Sequence, residues 1–166
     1  MTQPRRHTTV DSPLGPLTLV AEGDALVGLY LAGQRHRPPD ETFGAPAADD
    51  DPTLTMAATE LAEYFAGART VFTVPTRPAG TEFQRAVWHA IATVPYGSTT
   101  TYAALAAAIG RPTATRAVGA AVGRNPLSIV VPCHRIVGAG GSLTGYAGGL
   151  DRKRALLALE VSTSAS

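Results

Sequence analysis

The chain has 166 residues, 45% of them hydrophobic and 16% charged, with a net charge of +1 at pH 7. That length suits one globular domain or two small ones sharing an interface, and the composition excludes global disorder. No apolar run approaches the ~18 residues of a membrane span, no signal-peptide core follows residues 1–7, and the single cysteine, Cys133, permits no internal disulfide, so the chain reads as cytoplasmic and reduced.

The charge is unevenly spread. Residues 1–80 carry six arginines against ten acids, a balance of −4, and residues 81–166 carry seven arginines and Lys153 against Glu82, Asp151 and Glu160, a balance of +5. A basic second half is the footprint of a nucleic-acid-binding face, although an ordinary solvated surface accounts for it equally well. His7, His36, His89 and Cys133 lie far apart, without the close-spaced pair of a structural zinc site, so no metal is expected.

In chain order, residues 8–31 alternate as strands. Leu17, Leu19 and Ala21 share one face, and Val27, Leu29 and Leu31 share one after the turn Glu22-Gly23-Asp24. Residues 33–52 are rich in Pro, Gly, Asp and Arg without periodicity, which predicts a long, mobile surface loop. Leu54, Ala57, Ala58, Leu61 and Phe65 recur at helical spacing, with Gly67 as the C-terminal cap. A short strand is expected at residues 71–74, and a Pro- and Gly-containing linker follows. The boundary placed there divides residues 1–78 from residues 79–166.

The second part is mainly helical. Thr81-x-x-Gln84 is a capping-box signature opening a helix that buries Phe83, Val87, Ala90, Ile91 and Val94, with Trp88 beside that stripe as a core residue. Thr101 is placed to cap a second helix over residues 102–109. After Gly110-Arg111-Pro112 a third runs over about residues 113–122, which together make a helix-turn-helix. The third helix is small on nearly every side, with Arg116 its one long side chain. It suits a close approach to a DNA groove, and its lack of several polar readers argues for sequence-independent binding. A last helix is expected over residues 151–159 with Arg152, Lys153 and Arg154 exposed, then a frayed tail over residues 161–166. The fold class is therefore α+β: a small N-terminal antiparallel sheet with a helix, then a mainly helical part containing a helix-turn-helix.

Cys133 ends an apolar, β-branched run and is flanked by Pro132, His134 and Arg135. Nearby positive charge favours the thiolate, the reactive form, whereas a lone cysteine is more often an inert buried hydrophobe. Both readings stand on these residues alone. The glycine-rich segments lack the Gly-Lys-Ser/Thr of a phosphate loop, so no nucleotide cofactor is indicated.

The string Pro132-Cys133-His134-Arg135-Ile136 resembles the active-site signature of the O6-alkylguanine-DNA alkyltransferases, or methylated-DNA–protein-cysteine methyltransferases. The similarity extends through Asn125-Pro126, Arg116-Ala117-Val118-Gly119, Pro95-Tyr96-Gly97, Tyr102-x-x-Leu105-Ala106 and Tyr146-Ala147-Gly148-Gly149. It covers residues 81–160 closely and the first 80 in outline. The resemblance implies direct-reversal DNA repair: Cys133 takes an alkyl group from O6 of a flipped-out guanine in duplex DNA, with O4 of thymine as a further candidate substrate position. It implies His134 as base, oriented by Glu160 and acting on the thiol through a water. Tyr102 would rotate the nucleotide and act as proton donor, and Asn125 would hold the turn linking the third helix to the active-site strand.

By the same resemblance Arg116 is the finger that fills the vacated stack, and Thr113, Ala114, Thr115, Ala117 and Gly119 are the other DNA-facing candidates. Val122, Ile136, Tyr146, Ala147 and Gly148 would wall the base pocket; Ala147 stands where familiar members often carry serine. The partner is double-stranded DNA, with neither a membrane nor an obligate protein partner inferred. An S-alkylcysteine is not reversed by thiol exchange, so each molecule should act once. Two other readings compete. A non-catalytic lesion sensor or regulator is disfavoured by the presence of Cys133, and a Cys–His hydrolase rests on nothing but Cys133-His134.

Overall fold

The computed structural model describes residues 4–164. Three strands, β1 (Arg5–Val10), β2 (Leu17–Glu22) and β3 (Ala25–Leu31), form an antiparallel meander, and β4 (Ala45–Pro46) adds parallel to β1, giving the order β3-β2-β1-β4. One face packs on α1 (Pro52–Phe65) through Leu17, Leu19, Ala21, Leu29 and Leu31 against Leu54, Ala57, Leu61 and Tyr64.

The strand alternation holds for β2 but not throughout β3. A bulge breaks the β2–β3 register: Val20 pairs with Gly28 but Ala21 with Leu26. The extra residue flips the parity, so Leu26 joins the main core. Val27 turns to the other face with Val20, Tyr30 and Phe43. Val27 thus leaves the face predicted for it with Leu29 and Leu31.

Residues 33–52 are more ordered than their composition suggested. A 3₁₀ turn at Asp40–Phe43 buries Phe43, which stacks on Tyr30 with ring centroids 5.4 Å apart. Asp51 closes this segment. Its carboxylate accepts from Leu54 N at 3.0 Å, capping α1, and pairs with Arg6 of β1. Residues 71–74 form no strand; just beyond them Thr76 makes an isolated bridge to Leu26 on the edge of β3. Glu60 holds this stretch instead, accepting from Thr73 N at 2.9 Å and Val74 N at 3.0 Å.

Beyond it, α2 (Glu82–Ile91) opens with the predicted capping box: Gln84 N donates to Thr81 Oγ1 and Thr81 N to Gln84 Oε1. The short strand β5 (Thr100–Thr101) leads into α3 (Tyr102–Ala108), which Thr101 caps. A turn through Gly110 then leads to α4 (Thr115–Gly123). Trp88 is a core residue, and its indole N–H donates to Ala121 O at 2.8 Å, fastening the end of α4 to α2. Val118, Ala121 and Val122 face inward, so α4 has a core side as well as an outer one.

The strand β6 (Ile136–Val137) pairs parallel with β5, and α5 (Leu150–Ser164) closes the chain. Residues 161–164 are helical, where a frayed tail was expected; residues 165 and 166 lie outside the described residues. One hydrophobic core runs from the sheet through α1 into α2, α3, α4 and α5. No helix among the described residues is long and apolar enough to cross a membrane.

Candidate active site and DNA-facing surface

The outer edge of β3 positions the cysteine. Leu29 N donates to Pro126 O at 2.8 Å and Ser128 N to Leu29 O at 3.2 Å, which fixes Leu127 beside the sheet. The apolar run to Val131 is not a strand. It is a buried turn in which Ile129 takes a left-handed backbone (φ 73°), a conformation that β-branched residues rarely adopt. Asn125 holds it closed: its Oδ1 accepts from Leu127 N at 2.9 Å, and its Nδ2 donates to Val131 O at 2.8 Å. Cys133 follows as the first residue of a 3₁₀ turn, Cys133–Arg135.

The two residues that follow Cys133 on this turn, His134 and Arg135, join a buried polar cluster centred on Glu160 of α5. Its carboxylate accepts from Tyr64 Oη at 2.6 Å and from Arg135 Nε at 2.8 Å and Nη2 at 3.1 Å, and it meets His134 Nε2 at 2.7 Å. Burial alone would raise its pKa, but the hydrogen bonds from His134 and Arg135 outweigh this and bring it to about 2. A carboxylate that stays ionised can only accept, so His134 Nε2 carries the proton and donates it. Burial lowers the imidazole pKa from 6.5, leaving His134 neutral at pH 7 with Nδ1 as a free lone pair. Nδ1 is buried and has no hydrogen-bond partner among the described residues. Burial pushes the Cys133 thiol up, against the pull of the Asn125 amide and the Lys153 charge. The site thus holds a protonated thiol next in sequence to a neutral base.

The thiol lines a cavity of about 330 Å³ with Tyr102, Gly119, Ala120, Val122, Gly123, Arg124, Gly145, Tyr146, Ala147 and, from the N-terminal segment, Arg35 and His36. Of the expected walls, Val122, Tyr146 and Ala147 are in place. Ile136 is not: it is fully buried in β6, where strand pairing turns it into the core. Gly148 is not either, because it is wedged between Leu31 and the Tyr146 ring, where a Cβ would come within 2.4 Å of Leu31 Cδ1. Tyr102, at the start of α3, lines the cavity, and its hydroxyl reaches Thr144 O at 3.4 Å. Burial raises its pKa and keeps the phenol protonated.

On α4, Arg116 and Ala117 are exposed, as are Thr113 and Thr115 ahead of or at its start; Ala114 and Gly119 are half-buried. Arg116 lies three and four positions before Gly119 and Ala120, hence on the helix face that leads to the cavity.

Lys153 was expected on the surface, and the structure reverses this. It is fully buried, and its ammonium donates to Ile136 O at 2.6 Å and Thr144 O at 2.9 Å, pinning the pocket loop over β6. No pattern of apolar spacing marks such a lysine, because the acceptors are backbone carbonyls of remote segments. Arg135, whose charge the sequence sets beside the thiol, is bound to Glu160 instead, and Tyr64 was not assigned to the site. For Arg135 its place beside His134 was a usable signal, and for Tyr64 there was none. Among the described residues no group of three or more His, Cys, Asp or Glu is arranged to hold a metal ion.

Two family models match the chain. One is the ribonuclease-like domain of 6-O-methylguanine DNA methyltransferase, over residues 6–78, and the other is its DNA binding domain, over residues 82–162. The methylated-DNA–protein-cysteine methyltransferase of Mycobacterium bovis is 49% identical over 156 residues, covering 94% of this chain and 92% of the relative. This chain belongs to the 6-O-methylguanine DNA methyltransferase family. The inducible family member of Bacillus subtilis is 47% identical over 143 residues, covering 81% of this chain and 80% of its own. A crystal structure of Mycobacterium tuberculosis OGT in complex with DNA superposes with a TM-score of 0.85 at 49% identity, covering 96% of this chain and 93% of that one. The methyltransferase fold thus agrees with the α+β class expected from the sequence, with its helical DNA-binding part second.

Proposed function

We propose that this methyltransferase repairs duplex DNA by moving a methyl group from O6 of guanine irreversibly onto its own Cys133. The observation that carries this reading is the Cys133 thiol on the wall of a base-sized cavity, with His134, paired to Glu160, next to it on the same 3₁₀ turn. The damaged guanine leaves the stack, at a cost of about a few kcal/mol, and enters between Tyr146, Val122 and Tyr102. His134 Nδ1 accepts the thiol proton through a water, and Glu160 stabilises the imidazolium that results. The thiolate attacks the methyl carbon; the S–C bond forms as the C–O6 bond breaks, and the electron pair stays on the guanine. The protonated Tyr102 phenol supplies a proton toward that base, so that a neutral guanine departs. Arg116 of α4 fills the vacated place in the stack, with Thr113, Ala114, Thr115, Ala117 and Gly119 close to the groove.

The product is a thioether, and one molecule repairs one lesion. The test is the intact mass after incubation with a duplex holding one O6-methylguanine. One methyl group per protein, mapped to Cys133 and absent from Cys133→Ser, is the expected result. Tight lesion binding with no mass gain would leave a sensor and return Cys133 to a structural role.

A further inference from the structure

The transfer chemistry does not account for a turn of the N-terminal segment at the mouth of the Cys133 cavity. Arg35 and His36 line that cavity together with Arg124, which caps the C-terminal end of α4. The same three residues also line a second cavity of about 240 Å³, bounded by Gln34, Gln84, Trp88 and Pro126. They therefore form the ridge between the two cavities, and the two segments face each other across it.

This turn is built, not loose. The buried Gln34 accepts from Leu31 N at 2.7 Å and from Ser128 Oγ at 3.3 Å. Arg35 N donates to Ala147 O at 2.8 Å, and Arg152 Nη1 donates to Ala32 O at 2.7 Å and to Gly148 O at 3.3 Å, so the turn is tied to the pocket loop. His36 is held in a left-handed backbone (φ 61°), which a non-glycine residue keeps only where its surroundings impose it. Arg35, His36 and Arg124 are exposed, and Arg35 and Arg124 enter none of the ion pairs among the described residues. Arg37, by contrast, is tied to Asp40. Among the described residues no carboxylate lines the Cys133 cavity.

We propose that Arg35, His36 and Arg124 form a phosphate clamp, which holds the sugar–phosphate backbone of the extruded nucleotide across the cavity mouth. The clamp rests on the alkyl-transfer reading of that cavity. An extruded guanine is neutral, and the anionic part of its nucleotide is the flanking phosphate, which stays outside when the base goes in. Two arginine forks and an imidazole N–H are the donors suited to that group. The N-terminal segment thus takes part in substrate binding despite its net negative charge.

The test compares transfer to Cys133 from O6-methylguanine duplexes with native linkages or neutral methylphosphonates on both sides of the lesion. The proteins are wild type, His36→Asn (which tolerates the left-handed backbone) and the double variant Arg35→Gln/Arg124→Gln. All are first shown to be folded by circular dichroism. Neutral linkages should slow the wild type about tenfold, and the double variant should be slower on native DNA by a similar factor. Neutral linkages should then slow the double variant less than twofold further. The dependence of its log affinity on log salt should flatten by about 2, one unit for each arginine removed.

Equal slowing of wild type and double variant by the neutral linkages overturns the clamp, as does a double variant that is unimpaired on native DNA. Free O6-benzylguanine separates the two readings. If the wild type alkylates Cys133 from neither DNA nor free base, the transfer reading falls by itself. The same comparison made on lesion-duplex affinity then still decides the clamp.

Discussion

Glu160 balances the charge of the site. Arg135 alone neutralises it, so His134 need not be protonated to accompany it, and the imidazole remains available as a base. Glu160→Gln would leave the Arg135 guanidinium buried without its counter-charge. The expected cost is about 3–5 kcal/mol of stability by denaturant unfolding, together with a transfer rate about 10²-fold lower or worse. Wild-type values for both would remove the carboxylate from the relay.

The pH dependence follows from the same residues. The His134 pKa lies below 6.5, so the neutral base is complete above that value and is lost as pH falls through the folded pKa. The transfer rate to free O6-benzylguanine should therefore fall with acid below pH 6.5 in wild type, and a flat profile would exclude a titrating base. Stability has the same sign. Glu160 titrates at about 2 in the folded chain against 4.5 ordinarily, so its contribution is full above 4.5 and disappears as pH falls toward 2. That contribution is about 3 kcal/mol.

Among the elements, the pocket loop and α5 depend on approaches too close for ordinary side chains. At Gly148 a Cβ would stand 2.4 Å from Leu31 and 2.8 Å from the Tyr146 ring. Gly148→Ala should cost about 1–3 kcal/mol and displace Tyr146 from the pocket wall. Urea unfolding and the transfer rate measure the two effects. An alanine variant as stable and as fast as the parent would mean that the loop yields freely. The helices were the legible elements, because their signals are local: the Thr81–Gln84 box, the Thr101 cap and the small residues of α4. The run before Cys133 reads as a strand by composition because β-branched content is blind to the staple that Asn125 provides. Lys153 reads as exposed because an ammonium flanked by Arg152 and Arg154 looks solvated until its carbonyl acceptors are in place.

At the scale of the molecule, the two family segments share one core and one polar cluster. Tyr64 of α1 donates to Glu160, and β3 supplies the edge that positions Leu127 ahead of Cys133. A chain beginning at residue 79 would expose the faces that Leu29 and Leu31 now cover, at about 2 kcal/mol for each large apolar side chain returned to water. Such a fragment should show no cooperative thermal unfolding and slow transfer. A sharp transition and full activity would show that the second segment is autonomous.

By itself the sequence determined the family, the helix-turn-helix and the candidate cysteine, since each is carried by residue types at short or characteristic spacing, whereas the pairing of His134 with Glu160, 26 positions apart, rested on the family resemblance. Only the tertiary structure decided the bulge that exchanges Val27 for Leu26 in the core, the burial of Ile136 and Lys153, the Tyr64 and Arg135 bonds to Glu160, and the arrival of Arg35 and His36 at the cavity. These depend on backbone register and on approaches between residues up to about a hundred positions apart, which no local pattern of side chains encodes.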